Sequence, residues 1–200
     1  MRFASLIRAG LVAAGLLAAP AAFAAMTSPS AMTYPTAPTY PPSANMMWGR
    51  PAVSAIPRET VWYNGPYAPG TIIISTSERR LYLVLPDHQA LKYGVGVGRP
   101  GFTWGGNLRV SMKREWPDWT PPAAMLRRRP DLPRHMKGGI DNPLGARALY
   151  LGSSEYRIHG SNEPDTIGTA VSSGCIRMTN DDVKDLYERV PVGARVVVQN

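Results

Sequence analysis

A chain of 200 residues with a formal charge of +8 and one cysteine is long enough for a single domain with a real core. A lone cysteine excludes an intrachain disulfide framework. A basic balance suits nucleic acid inside a cell and an anionic envelope polymer or membrane surface outside it, so the N-terminus decides between them.

Arg2 and Arg8 form a basic n-region, and residues 9–19 an apolar run too short and Ala-rich for a secure membrane span. Ala22-Phe23-Ala24 then gives a small-x-small cleavage site. The pattern predicts a signal peptide over 1–24 and an exported product in the periplasm or cell envelope, with no nucleic acid partner and no stable membrane insertion. Losing Arg2 and Arg8 leaves the chain basic. Residues 25–57 are rich in Pro, Ser, Thr, Ala and Met, with Tyr34-Pro35, Tyr40-Pro41-Pro42 and Ile56-Pro57 steps. They carry neither strand nor helix periodicity and read as a disordered linker, which leaves 58–200 for the folded domain.

Within that domain the sequence predicts strands at 71–76 and 80–85, a turn at Pro86-Asp87, and a returning strand over 90–97. Further strands are expected at 109–112, 148–151 and 195–199, and alternation in Tyr156-Arg157-Ile158-His159 puts the histidine at a strand end. Between about 98 and 145 the periodicity fails. That stretch holds Trp104, Trp116, Trp119, a proline cluster and Arg127-Arg128-Arg129, followed by Arg134 and Lys137. It reads as a long irregular loop, either a wall over the functional site or an inert solvated face. One helix is expected at about 180–190: Thr179-Asn180-Asp181-Asp182 starts it, Val183, Leu186, Tyr187 and Val190 form its apolar face, and Pro191 and Gly193 stop it. The fold class is therefore mostly β with one helix on the C-terminal side.

Cys175 sits in Ser172-Ser173-Gly174-Cys175-Ile176-Arg177-Met178. A thiol after a Ser-Ser-Gly turn and before an arginine suits a partly exposed nucleophile; the other reading is a small buried hydrophobe. A thiol of pKa about 8.5 needs a base to form thiolate, and the pair gains as thiolate–imidazolium. His88 lies beside the expected hairpin turn and His135 in the basic run, whereas His159 ends a strand and is followed by Gly160. No acidic residue stands out to orient the imidazole, so a backbone carbonyl near Gly160 is expected to do so. Gly174 lets the turn aim the amides of Gly174 and Cys175 at a developing oxyanion. Arg177 either holds a substrate carboxylate or pairs within the domain. No His/Cys ligand cluster suggests a metal, and no cofactor is expected.

His159-Gly160 with the Cys175 heptapeptide resembles the signature of the L,D-transpeptidases, the YkuD-type catalytic domain of bacterial cell-wall enzymes. The resemblance runs through Ala68-Pro69-Gly70-Thr71-Ile72, Arg80-Leu81-Tyr82-Leu83-Val84, Gly96-Val97-Gly98-Arg99 and Asn142-Pro143-Leu144-Gly145-Ala146-Arg147-Ala148, over roughly 60–199. It departs at Ser173, where many members have histidine, and at Phe102-Thr103-Trp104-Gly105-Gly106, where many have a Thr-Pro-x-Gly element. The resemblance implies a β-sandwich-like fold with the cysteine in a cleft and metal-free catalysis. Cys175 would be the nucleophile, His159 the acid/base, and the Gly160 carbonyl its orienting group. Ser173, Tyr150 and Trp104 join Arg177 as expected substrate contacts. The implied partner is a peptidoglycan tetrapeptide stem, cut between residue 3, usually meso-diaminopimelate, and the terminal D-Ala, with an amine then resolving the thioester. The leading expectation is a 3→3 cross-linking transpeptidase. The same acyl-enzyme could attach an envelope protein, or yield to water as an L,D-carboxypeptidase. A catalytically idle wall-binding module is the reading from another class, and the presence of both His159 and Cys175 speaks against it.

Overall fold

The computed structural model describes residues 56–200, so the expected signal peptide and all of the expected linker except Ile56 and Pro57 lie outside the described residues. The two most apolar strands form the centre of the main sheet. β2 (Ile72–Ser75) is buried throughout and pairs in parallel with β11 (Arg195–Gln199), whose Val196, Val197 and Val198 are also buried. Continuous apolar runs of this kind are what strands covered on both faces require. Around that pair the sheet adds β1 (Glu59–Trp62), β3 (Arg80–Leu85), β4 (Gln89–Gly94), β6 (Gly106–Glu115), β7 (Arg147–Leu151), β8 (Arg157–His159) and β10 (Ile176–Arg177). Its order is β1-β4-β3-β2-β11-β6-β7-β8-β10. The expected hairpin is present. Leu85 pairs with Gln89 across a turn in which Asp87 and His88 both take positive φ, the backbone a tight hairpin turn demands.

β6 is the strand that joins the two halves of the sheet. Its first part pairs with β11 from Gly106 to Arg109, and its second pairs with β7 after a register shift between Val110 and Met112. Such an irregularity bends a strand and lets one sheet serve two layers. The consequence is a common core: Ile72, Leu81 and Val196 from one half cluster with Leu149, Ile158 and Ile176 from the other. α2 (Asn180–Arg189) closes this core with Val183 and Leu186 and lies against β7. The Thr179 hydroxyl caps α2 by accepting from the Asp182 N–H at 3.2 Å and donates to the Asp182 carboxylate at 2.9 Å.

Two expectations need correction. The apolar run at 90–97 is not one strand: β4 ends at Gly94, Gly96 bridges Arg177, and β5 (Val97–Gly98) pairs with β9 (Ala170–Ser172) in a second small sheet. Gly96 permits the crossing, since a Cβ there would lie 3.1 Å from the Thr166 carbonyl and 3.3 Å from Arg177 Cβ. The stretch 98–145 is also not irregular throughout, for it contains β6 and a short helix α1 (Ala123–Arg128). Leu108, Val110 and Met112 do alternate, but only Val110 is buried, and Gly106 with polar and charged residues fills the rest of a strand held by its backbone pairing.

Candidate active site

Alternation along β7, β8 and β10 sorts the core from the cleft. Leu149, Ile158 and Ile176 face the core in register, Leu149 opposite Ile158 and Ile158 opposite Ile176. Because side chains alternate, Tyr150, Arg157, His159 and Arg177 must stand on the other face, and Cys175 continues that side two residues before Arg177. The parallel pairing of Arg177 with His159, fixed by the Met178 N–H donating to the His159 carbonyl at 2.8 Å, brings together the two halves of the motif.

His159 is 4% exposed, and its Nδ1 donates to the Gly160 carbonyl at 2.6 Å. A carbonyl only accepts, so Nδ1 carries the proton and Nε2 is left as the basic nitrogen. The carbonyl is held in turn. Gly160 N–H donates to the Arg147 carbonyl at 3.0 Å, and the Asn180 side-chain oxygen packs against both Gly160 and Gly145 while accepting from Ala146 N–H at 2.8 Å. Gly145 sits at φ +62, and a Cβ there would lie 2.5 Å from Ser161 N and 2.6 Å from the Gly160 carbonyl carbon. Burial, followed by the charge of Arg177, pushes His159 down to about 3 despite the opposing pull of the Gly160 carbonyl. Its imidazole is therefore neutral near pH 7 and able to accept a proton.

Burial also pushes the Cys175 thiol up, opposed by the amide and guanidinium of Arg157 and by Arg177. The half-buried cysteine keeps a solvent-open side, so burial acts on it less fully than on the enclosed histidine. Both shifts favour the uncharged forms, a thiol and a neutral imidazole, and the thiol donates to the Glu155 carbonyl at 3.7 Å. The turn before the cysteine is tightly tied. Ser172 Oγ donates to the Cys175 carbonyl at 2.6 Å and accepts from Gly174 N–H at 3.1 Å. Gly174 takes φ +109, and a Cβ there would lie 2.6 Å from the Tyr156 ring. Trp104 stacks on Tyr156, centroids 4.2 Å apart, and its Nε1–H donates to the Gly174 carbonyl at 2.7 Å.

Cys175 and His159 open onto a cleft of about 390 Å³. Other lining comes from the arm over 116–145, which contributes Trp119, Pro122, Met125, Arg128 and Leu132. Asn142 holds the base of this arm. It is fully buried, its Nδ2 donates to the carbonyls of Pro117, Met136 and Lys137 at 3.0–3.3 Å, and its Oδ1 accepts from Leu144 N–H at 2.8 Å.

Residues 69–198 match the family model of the YkuD L,D-transpeptidase catalytic domain. The chain belongs to that family. It is 40% identical over 134 residues to "Probable L,D-transpeptidase ErfK/SrfK" of Escherichia coli K12, covering 64% of this chain and 43% of that relative. Over 170 residues it is 36% identical to "Probable L,D-transpeptidase YbiS" of the same organism, covering 76% and 55%. The chain spans about half the length of these curated relatives. In fold it resembles L,D-transpeptidase 3 from Mycobacterium tuberculosis, with a TM-score of 0.54 at 18% identity over 65% of this chain and 60% of that one. The family and the mostly β fold read from the motif are borne out.

Within this L,D-transpeptidase domain the expected site residues divide. Cys175, His159, Ser173 and Arg177 line the cleft. Ser173 Oγ accepts from Arg99 at 3.3 Å, and Arg177 pairs with Glu163 at 2.9 Å, so Arg177 is both a lining residue and an internal ion-pair partner. Trp104 does not line the cleft; it buttresses the Gly174 turn from behind. Tyr150 shares the cleft-side face of β8 and β10 but lies one strand further out, beneath the Arg157 guanidinium at 5.1 Å. The Gly174 amide, expected in the oxyanion hole, is engaged by Ser172 Oγ, which leaves the Cys175 amide of the expected pair. His88 stacks on Trp62 and His135 pairs with Asp118, both outside the cleft. Among the described residues no three His, Cys, Asp or Glu gather as a metal site, and no helix is long and apolar enough to cross a membrane. Sequence reasoning missed Arg157, Glu163, Asn142 and Asn180. Arg157 was within reach, because the alternation that places His159 at a strand end puts Arg157 on the same face.

Proposed function

We propose that this protein is an exported peptidoglycan L,D-transpeptidase that forms 3→3 cross-links between stem peptides through a thioester on Cys175. The observation that carries the reading is a sole thiol and a neutral, tautomer-fixed imidazole on one cleft wall of an L,D-transpeptidase domain. His159 Nε2 takes the thiol proton as sulfur attacks the carbonyl between residues 3 and 4 of a donor stem. The Cys175 amide faces the developing oxyanion. The C–N bond breaks, His159 returns its proton to the departing D-Ala amine, and a thioester remains. A side-chain amine of residue 3 on a second stem then attacks the thioester, gives its proton to His159, and releases Cys175 as the new amide forms. Apolar lining by Pro122, Met125 and Leu132 favours an amine over water at this step, because it limits solvent around the thioester. Attachment of an envelope protein would use the same acyl-enzyme with a different amine. Residues 1–24 act as the export signal in this reading, and the peptidoglycan of the envelope is the partner.

The test is mass spectrometry of purified disaccharide-tetrapeptides incubated with the protein. The expected result is a Cys175 adduct lacking D-Ala, followed by dimers joined 3→3. Tripeptides alone would replace this reading with a carboxypeptidase, and the absence of any adduct would leave an idle binding module.

A further inference from the structure

Five arginines line the cleft: Arg99, Arg128, Arg129, Arg157 and Arg177. Two have carboxylate partners, Arg129 with Asp131 at 2.6 Å and Arg177 with Glu163 at 2.9 Å. The other three have none among the described residues, and Glu155, the second carboxylate of the lining, pairs with none of them. Arg157 lies against the cysteine. Arg99 and Arg128 are therefore cations at the cleft without an assigned anion.

They come from different segments and meet on one aromatic ring. The guanidinium carbons of Arg99 and Arg128 stand 4.2 Å and 5.3 Å from the Phe102 centroid. Phe102 is held by its N–H donating to the Arg99 carbonyl at 2.8 Å, and a Cβ on Gly98 would collide with its carbonyl oxygen. Arg99 is tied to the nucleophile turn, its N–H donating to the Ser172 carbonyl at 3.0 Å and its guanidinium to Ser173 Oγ at 3.3 Å. A guanidinium stacked on a ring loses little further freedom on binding and keeps N–H edges for an acceptor. Two like charges brought to one ring repel each other until an anion joins them, so the pair is arranged to take a carboxylate.

We propose that Arg99 and Arg128, stacked on Phe102, form a carboxylate-reading clamp that makes the enzyme select acidic donor peptides with free carboxylates over donors whose carboxylates are amidated. This rests on the transpeptidase reading above, and it assigns specificity to residues outside the Cys175–His159 pair.

The test compares two synthetic tetrapeptide donors with the same scissile bond, one with its other carboxylates free and one with them as carboxamides. The rate of Cys175 acylation is followed by intact mass. The unaltered protein is expected to prefer the free form by about tenfold, the scale of one charge-assisted hydrogen-bond pair. Arg128→Gln and Arg99→Gln should each reduce that ratio, and the double variant should bring it near one. Alkylation of Cys175 by neutral iodoacetamide should be unchanged in Arg128→Gln, since Arg128 makes no contact with the nucleophile turn and Arg157 and Arg177 are the charges acting on the thiol. Arg128 is exposed on α1, so Arg128→Gln keeps the test valid even if Arg99→Gln fails to fold. A preference left undiminished in Arg128→Gln, or equal acylation by both donors in the unaltered protein, overturns the clamp and leaves the transpeptidase reading standing. Failure of the unaltered protein to be acylated by either donor overturns both.

Discussion

The β8–β10 edge and the arm over 116–145 face the same cleft but are built in opposite ways. On the edge, three groups beside the proposed reaction are each fixed twice: His159 by its register and by Gly160, the Gly174 turn by Ser172 and Trp104, and the Gly160 loop by Arg147 and Asn180. The arm buries no residue of its helix α1, has no side-chain cap at the helix start, and hangs from Asn142. Chemistry needs atoms held to within fractions of an ångström, which only an over-determined part of a fold supplies. Recognition of a charged donor tolerates a looser support, and exposed positions can change with little cost in stability. The two regions should therefore fail differently when altered.

The largest effect belongs to the proposed nucleophile. Cys175→Ala should lower turnover by about a thousandfold or more while leaving the melting temperature nearly unchanged, because only binding and oxyanion contacts remain. Turnover that persists in a folded Cys175→Ala protein would remove the edge from the chemistry. Next comes the packing behind the base. Gly145→Ala should cost about 3 kcal/mol or more in denaturant unfolding, since the new Cβ meets backbone on two sides at a positive φ. A change below about 1 kcal/mol would mean that this loop gives way and is not the fixed support described.

A third prediction concerns acid. His159 is held down to about 3 in the fold and titrates near 6.5 when unfolded, so the unfolded chain binds the extra proton between those values. Its contribution to stability is complete above about 6.5 and is lost as pH falls toward 3, by at most roughly 1.4 kcal/mol per pH unit. Urea midpoints measured from pH 7 to pH 4 should fall more steeply for the unaltered protein than for His159→Gln. Parallel curves would show that the histidine is not held neutral. Alkylation of Cys175 should likewise show no acid limb near 6.5, and the midpoint of its rise with pH should lie above that of an ordinary thiol.

The central strands, α2 and the two motif residues were more legible in sequence than the arm, for physical reasons. Apolar runs such as Ile72-Ile73-Ile74 and Val196-Val197-Val198 announce buried strands, and Thr179 with Val183, Leu186 and Val190 announces α2. Cys175 and His159 were legible because a motif and an alternation agreed on them. β1, β9 and β10 were not expected, since four, three and two residues carry too little periodicity and their order comes from partners far along the chain. The places of Trp104, behind the Gly174 turn, and of Tyr150, beneath Arg157, were not legible for a related reason: a residue type suited to substrate says nothing of which side of a turn it packs on. Arg99 and Arg128 meet through Phe102, a contact between segments that no local pattern encodes.

The division between the two regions is tested most directly by single-turnover acylation of Cys175 as a function of donor concentration, in Trp104→Phe and Arg128→Gln. Trp104→Phe removes the hydrogen bond to the Gly174 carbonyl, worth about 1 kcal/mol, so its limiting acylation rate should fall several-fold while half-saturation stays put. Arg128→Gln should raise the half-saturating concentration of an acidic donor several-fold and leave the limiting rate within about twofold. The reverse pattern, a lowered limiting rate in Arg128→Gln with unchanged half-saturation, would contradict the account.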